Sequence, residues 1–209
     1  MPLLQAASSR SKTTAATLLV ALALAVGGCS GSDSSSPAAA AGPSNTGDGG
    51  AQGVDSQVFL GKVAGTIKKK NWKEFTEHHQ KPMLAQVGQA VDSWIDGGYV
   101  GVEYPRDSFG SAFDAFTKPA KRDADRQKQL MTNWELRNEI DGIEVKKRTI
   151  TVDVMAPRGR PAGATARVDL VFTTTGDKQE RVTVHGRLFL SPGHGKWHIF
   201  GYDVSKGAK

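Results

Sequence analysis

The sequence predicts an α+β domain in which N-terminal helices pack on a curved four-stranded antiparallel sheet, preceded by a signal peptide and a disordered linker. Three observations carry this. Apolar residues recur at helical spacing from Val54 to about Thr132. From about Ile143 the apolar period drops to two. Short loops rich in Gly, Pro and Asp then separate four alternating runs. Helices first and a meander second is the α+β order. The chain has 209 residues, and the part after the linker, 54–209, suits one domain with a core of its own.

The first element is an address. Residues 1–12 hold Arg10 and Lys12 and no acid, and Ala15 to Val26 is uncharged and dominated by Ala, Leu and Val. These are the n- and h-regions of a secretory signal peptide. Twelve helical residues rise roughly 18 Å, well short of a bilayer core of about 30 Å. Val26-Gly27-Gly28-Cys29 follows and resembles the bacterial lipobox, with Val26 for the usual Leu and Gly27 for the commoner Ala or Ser. The resemblance implies cleavage before Cys29, a diacylglyceryl group on its sulfur, and a location on the extracytoplasmic side of the cell membrane. Two acyl chains anchor stably where one does not. Ordinary cleavage at Ala21-Leu22-Ala23 or Ala23-Leu24-Ala25 competes with this and would release a soluble chain with a free Cys29. A redox or metal role for Cys29 is the third reading, though the chain has one cysteine and so no second thiol to pair with it. Ser30 in place of Asp after the cysteine avoids the retention signal of inner-membrane lipoproteins in two-membrane cells.

Segment 29–53 is the lipidated cysteine and its linker. Ser30 to Gly53 has no aromatic, no Lys or Arg and no Val, Ile, Leu or Met, and cannot offset the entropy of ordering. As a flexible chain it spans about 25–30 Å. The formal net charge is +6, and loss of Arg10 and Lys12 brings it to +4. Lys68, Lys69 and Lys70 are the one tight basic run. They fan around a helix and read as a solvated face or as a contact for anionic lipid headgroups. Nucleic acid is not an expected partner at this location.

Within 54–209 the spacing predicts a first helix carrying Phe59, Leu60, Val63, Ala64 and Ile67, with Trp72 and Phe75 behind it. A second opens at Pro82 with Leu84, Val87, Val91, Trp94 and Ile95, and ends at Gly97-Gly98. A short third, capped by Asp107 or Ser108, carries Phe109, Phe113 and Phe116 as core residues. A polar helix follows Pro119, near Ala120–Thr132. The strands carry Ile150, Val152 and Val154; Ala166, Val168, Leu170 and Phe172; Val182, Val184, Leu188 and Leu190; and a closing run, "KWHIFGYDVS".

Keeping Phe172 opposite Val182 and Leu170 opposite Val184 puts Asp169 opposite His185 and Arg167 opposite Arg187. Asp169 and His185 are the best candidate titratable pair, either as a surface cross-strand contact or as a catalytic dyad. In the last strand Trp197 and Ile199 alternate with His198, Phe200, Tyr202 and Val204, so both faces read as apolar. One face meets the helices. The other, with Phe189, Trp197 and Ile199 as candidate interface residues, suits a protein partner or a second copy of the chain. No metal is expected, because His194 and His198 in an extended strand lie about 13 Å apart and adjacent His78 and His79 point apart. No motif calls for a cofactor.

The order of these elements, closing on "GKWHIFGYDV" after a Gly-rich turn, resembles the nuclear transport factor 2-like, cystatin-like roll over about Val54 to Val204. Actinobacterial lipoproteins and Mce-associated proteins are the nearest groups. The resemblance implies a sheet curled around helices with a conical pocket that is empty, ligand-filled or catalytic. Fold alone does not choose between these. Asp92, Asp96, Asp153, Asp203, Tyr99 and Tyr104 are available as pocket acids, but none matches the family's catalytic constellation. The reading reached is a lipid-anchored, non-catalytic binding module for a protein partner or apolar ligand. The alternative is an enzyme of the same roll, isomerase- or hydrolase-like, using a pocket carboxylate or His185.

Overall fold

The structure is a computed structural model that describes residues 55–65, 74–101 and 103–209. The expectations for the signal peptide (1–28), Cys29, the linker (29–53), Ile67, Lys68, Lys69, Lys70 and Trp72 lie outside the described residues.

The domain is α+β, with a helical layer against a five-stranded mixed sheet in the order β1-β2-β3-β4-β5. The strands are β1 (Gln57–Ala64), β2 (Gly142–Met155), β3 (Gly163–Thr175), β4 (Arg181–Gly193) and β5 (Lys196–Ala208). β2 to β5 form the antiparallel meander, and β1 adds to β2 in parallel. The expected four-stranded antiparallel sheet is therefore corrected to five strands of mixed direction. The expected first helix is a strand, for a physical reason. Val58, Leu60 and Val63 face the core, and the register slips between Leu60 and Val63. That slip breaks strict alternation and leaves spacings that a helical period fits equally well.

β1 and β2 run parallel, so the chain must cross over between them, and it does so through the helical layer. Helix α1 (Glu77–Ile95) packs against β1, β2, β3 and β5, burying Met83, Leu84, Val87, Val91, Trp94 and Ile95. It begins at Glu77, a turn earlier than expected, and carries Pro82 inside it at the cost of one backbone hydrogen bond. Gly97-Gly98 do not end the helical path, which widens into a π turn over Asp96–Val100. A Cβ on Gly97 would sit 2.7 Å from the Cα of Ala112, so glycine is required there for close packing. The third helix is a single 3₁₀ turn, Gly110–Phe113, and the polar helix is broken at Gln127 into α2 (Lys118–Arg126) and α3 (Lys128–Met131).

The β3–β4 register is the one the sequence predicts: Phe172 opposite Val182, Leu170 opposite Val184, Asp169 opposite His185 and Arg167 opposite Arg187. Strand β5 departs from simple alternation. Leu190 pairs with Ile199 but Phe189 pairs with Gly201, so Phe200 is an extra, unpaired residue. This bulge flips the phase of everything after it. Trp197, Ile199, Tyr202 and Val204 all turn to the helical side, and Tyr202 meets Phe116 edge-on at 6.2 Å. The two apolar faces expected of β5 are therefore one apolar face, read across a bulge. The helical side of the sheet is filled by Trp94, Tyr99, Phe113 and Phe172, all fully buried.

Candidate functional site

Three places bring polar or exposed apolar groups together. The first lies between α1 and the sheet. Arg148, on the inner side of β2, is 7% exposed. Its Nη2 lies 2.6 Å from Asp92 Oδ1 and its Nη1 2.6 Å from Asp96 Oδ1. Asp92 and Asp96 share a face of the helical path because they are four residues apart. Ser56 donates to Asp92 and accepts from Arg148 Nε. Burial pulls the guanidinium down, but the hydrogen bond to Asp96 and the charges of Asp92 and Asp96 outweigh it and raise its pKa. A guanidinium so fixed cannot shuttle a proton; it ties β1, β2 and α1 together. Sequence reasoning saw the two carboxylates and missed the arginine. The signal was a cation at an inward position of an alternating strand.

The second place is a tyrosine cluster below α1. Tyr99 donates to the carbonyl of Leu130 at 2.7 Å, and burial raises its pKa well above the ordinary value. Tyr104 donates to the carbonyl of Tyr99 at 3.0 Å and accepts from Asn133 Nδ2 at 3.2 Å. Burial raises Tyr104 as well, against smaller opposing effects of Asn133 and Arg106. Both phenols are thus held neutral and their protons are committed to backbone carbonyls. Asn133 Oδ1 and the Tyr202 hydroxyl are buried without a hydrogen-bond partner.

The third place is the outer face of the sheet. Asp169 and His185 stand opposite each other there, but the carboxylate is taken by Lys147, and His185 stays exposed. That is a surface arrangement of modest energetic weight. Trp197 and Ile199, expected at an interface, are 6% and 0% exposed and sit under the protein's own helical layer. They are core residues. Phe189 does face outward, half-buried, with Phe200 beside it at 6.4 Å between ring centroids. Phe200 and Met155 are 54% and 53% exposed, the large hydrophobic residues that stand out among those described. With Phe189, Ala162, Gly163, Lys62 and Asp153 they line an open depression of about 510 Å³. Met155 and Phe200 were missed as a pair because they come together only through the sheet register and the bulge.

Among the described residues, no three His, Cys, Asp or Glu side chains form a group able to hold a metal ion. No helix among them is long and apolar enough to cross a membrane. Compared with known protein families, curated proteins and solved structures, the chain matches none.

Proposed function

We propose that this chain is a lipid-anchored, extracytoplasmic, non-catalytic binding module of the cystatin-like roll type, working through the outer surface of its sheet. The observation that carries the reading is where apolar surface is left over. The helical side of the sheet is occupied by Trp94, Tyr99, Phe113 and Phe172, whereas Met155 and Phe200 stand half-exposed on the outer side. A ligand carrier or enzyme of this architecture keeps its cavity among the helices, with an acid or base whose pKa is tuned toward the working pH. Here burial pushes the pKa of the inward tyrosines further above neutral pH, and the carboxylates Asp92 and Asp96 are spent on Arg148. The anchor rests on Val26-Gly27-Gly28-Cys29 and the apolar run before it.

Fractionation of cells tests the anchor. Wild-type chain is expected in the membrane fraction, cut before Cys29. Cys29→Ser, or treatment with globomycin, is expected to abolish that mature membrane-bound form. A chain that remains membrane-bound and fully processed in both cases overturns the proposal.

A further inference from the structure

The outer face carries an asymmetry that names what it meets. Ala64, Met155, Gly163, Leu190 and Ile199 mark one end of the sheet across all five strands, in pairs Ala64–Met155, Met155–Gly163, Ala164–Leu190 and Leu190–Ile199. The segments that reach this end are 60–65, 154–166 and 188–200. They contain Lys62, Arg158, Arg160 and Lys196, all exposed, and not one Asp or Glu. The one carboxylate that lines the depression, Asp153, is engaged by Arg167 and accepts the backbone N–H of Lys62 at 2.7 Å. Lys62 thus lines the depression with Met155, Phe189 and Phe200, and Arg160 and Lys196 stand exposed on segments that reach the same end of the sheet.

We infer that this end of the sheet docks on an anionic phospholipid surface, with Met155 and Phe200 entering the headgroup–acyl boundary and Lys62, Arg160 and Lys196 meeting the phosphates. Apolar side chains within a basic surface are the chemistry of interfacial binding. Size separates this occupant from a second copy or a tight protein partner. A stable protein interface needs about 800 Å² from each side, and two half-exposed side chains beside Phe189 supply a small part of that. A membrane contact needs much less when the domain is already held there. Cys29 as a lipid anchor, 24 residues of Ser/Ala/Gly-rich sequence away from the domain, would confine it near the bilayer, so a weak surface affinity suffices. The inference rests on the anchored reading of the chain.

Two single-thiol labels on the full chain, isolated from membranes and placed in vesicles, test it. Ala162→Cys puts a nitroxide in the depression without touching its apolar or basic side chains, and Ser205→Cys puts one elsewhere on the outer face. In vesicles rich in phosphatidylglycerol, the ratio of oxygen to nickel accessibility at position 162 is expected to rise several-fold over that at 205. The difference should vanish in phosphatidylcholine vesicles, in high salt, and in a chain also carrying Lys62→Gln, Arg160→Gln and Lys196→Gln. Equal accessibility at 162 and 205 in the anionic vesicles overturns the inference. Dipolar broadening between labels at 162 that persists without vesicles also overturns it, in favour of a second copy. The anchor is read separately, by maleimide on the unmutated chain. A Cys29 that takes the label refutes the anchored reading, whatever depth position 162 reports.

Discussion

At the sheet end near the β3–β4 hairpin, Lys178 lies between Glu139 at 3.2 Å and Glu180 at 3.4 Å, and Thr174 satisfies its hydroxyl on the Lys178 carbonyl. Midway along the outer face, Lys147 meets Asp169 and Arg187 meets Asp203. At the other end, Lys62, Arg160 and Lys196 stand in segments without a carboxylate that carry exposed Met155 and Phe200 or reach the same end. One end resembles a surface built for water, with both signs mixed. The other concentrates one sign near exposed apolar side chains, the pattern from which the phospholipid contact is inferred.

The comparison is sharpest where a cation is both answered and buried. Arg148→Ala is expected to cost about 3 kcal/mol, because Asp92 and Asp96 lose their partner at the edge of the core. The loss falls short of the largest values for buried pairs because the two carboxylates are 29% and 46% exposed and regain water. Urea denaturation measures it. A cost below about 1 kcal/mol would mean that the clamp between α1 and β2 is dispensable.

Alkaline pH probes the buried groups next. The Tyr99 phenol titrates near 10 when unfolded and higher when folded, because it is buried. Below that value it is protonated in both states and contributes nothing. Above it the unfolded chain sheds the proton first, so stability falls as pH rises. Lys206 has the opposite sign. Its ammonium reaches the carbonyls of Gln129 and Thr132, but burial lowers its pKa. Between that lowered value and the unfolded one the folded state sheds its proton first, and stability rises with pH. Thermal scans of Tyr99→Phe should show a shallower fall in Tm above about pH 10 than wild type. Those of Lys206→Gln should show a steeper one.

Most of the sheet was legible in the sequence. The β3–β4 register followed from one requirement, that Val168, Leu170 and Phe172 share a face with Val182 and Val184. What failed, failed at irregularities. The slip between Leu60 and Val63 made a strand look helical, and the extra Phe200 made one apolar face of β5 look like two. Bulges have no distinctive composition here, so alternation misreads them by a full face. The candidate site suffered for the same reason: Phe189 was named, but it was grouped with buried Trp197 and Ile199 rather than with Met155 and Phe200. The Arg148 clamp joins residues 52 and 56 apart in sequence, beyond the reach of any local pattern.

At Phe200 the effect on folding should be small. The ring is 54% exposed, and Phe200→Ser is expected to change stability by no more than about 0.5 kcal/mol. A loss near 2 kcal/mol would place Phe200 in the fold's own packing with Phe189 and would weaken its reading as contact surface.

The smallest effects decide the comparison by sign. Asp203→Asn removes an exposed partner of Arg187, 64% exposed itself, and should cost a few tenths of a kcal/mol at most. Replacing Lys62, Arg160 and Lys196 together by Gln removes like charges from one end of the sheet. That should leave stability unchanged or raise it by a few tenths of a kcal/mol at low salt, and the gain should disappear as salt screens the repulsion. Tm at two ionic strengths separates the cases. If the triple variant is instead destabilised at low salt, those cations are answered within the fold. The charge asymmetry of the sheet then ceases to point outward.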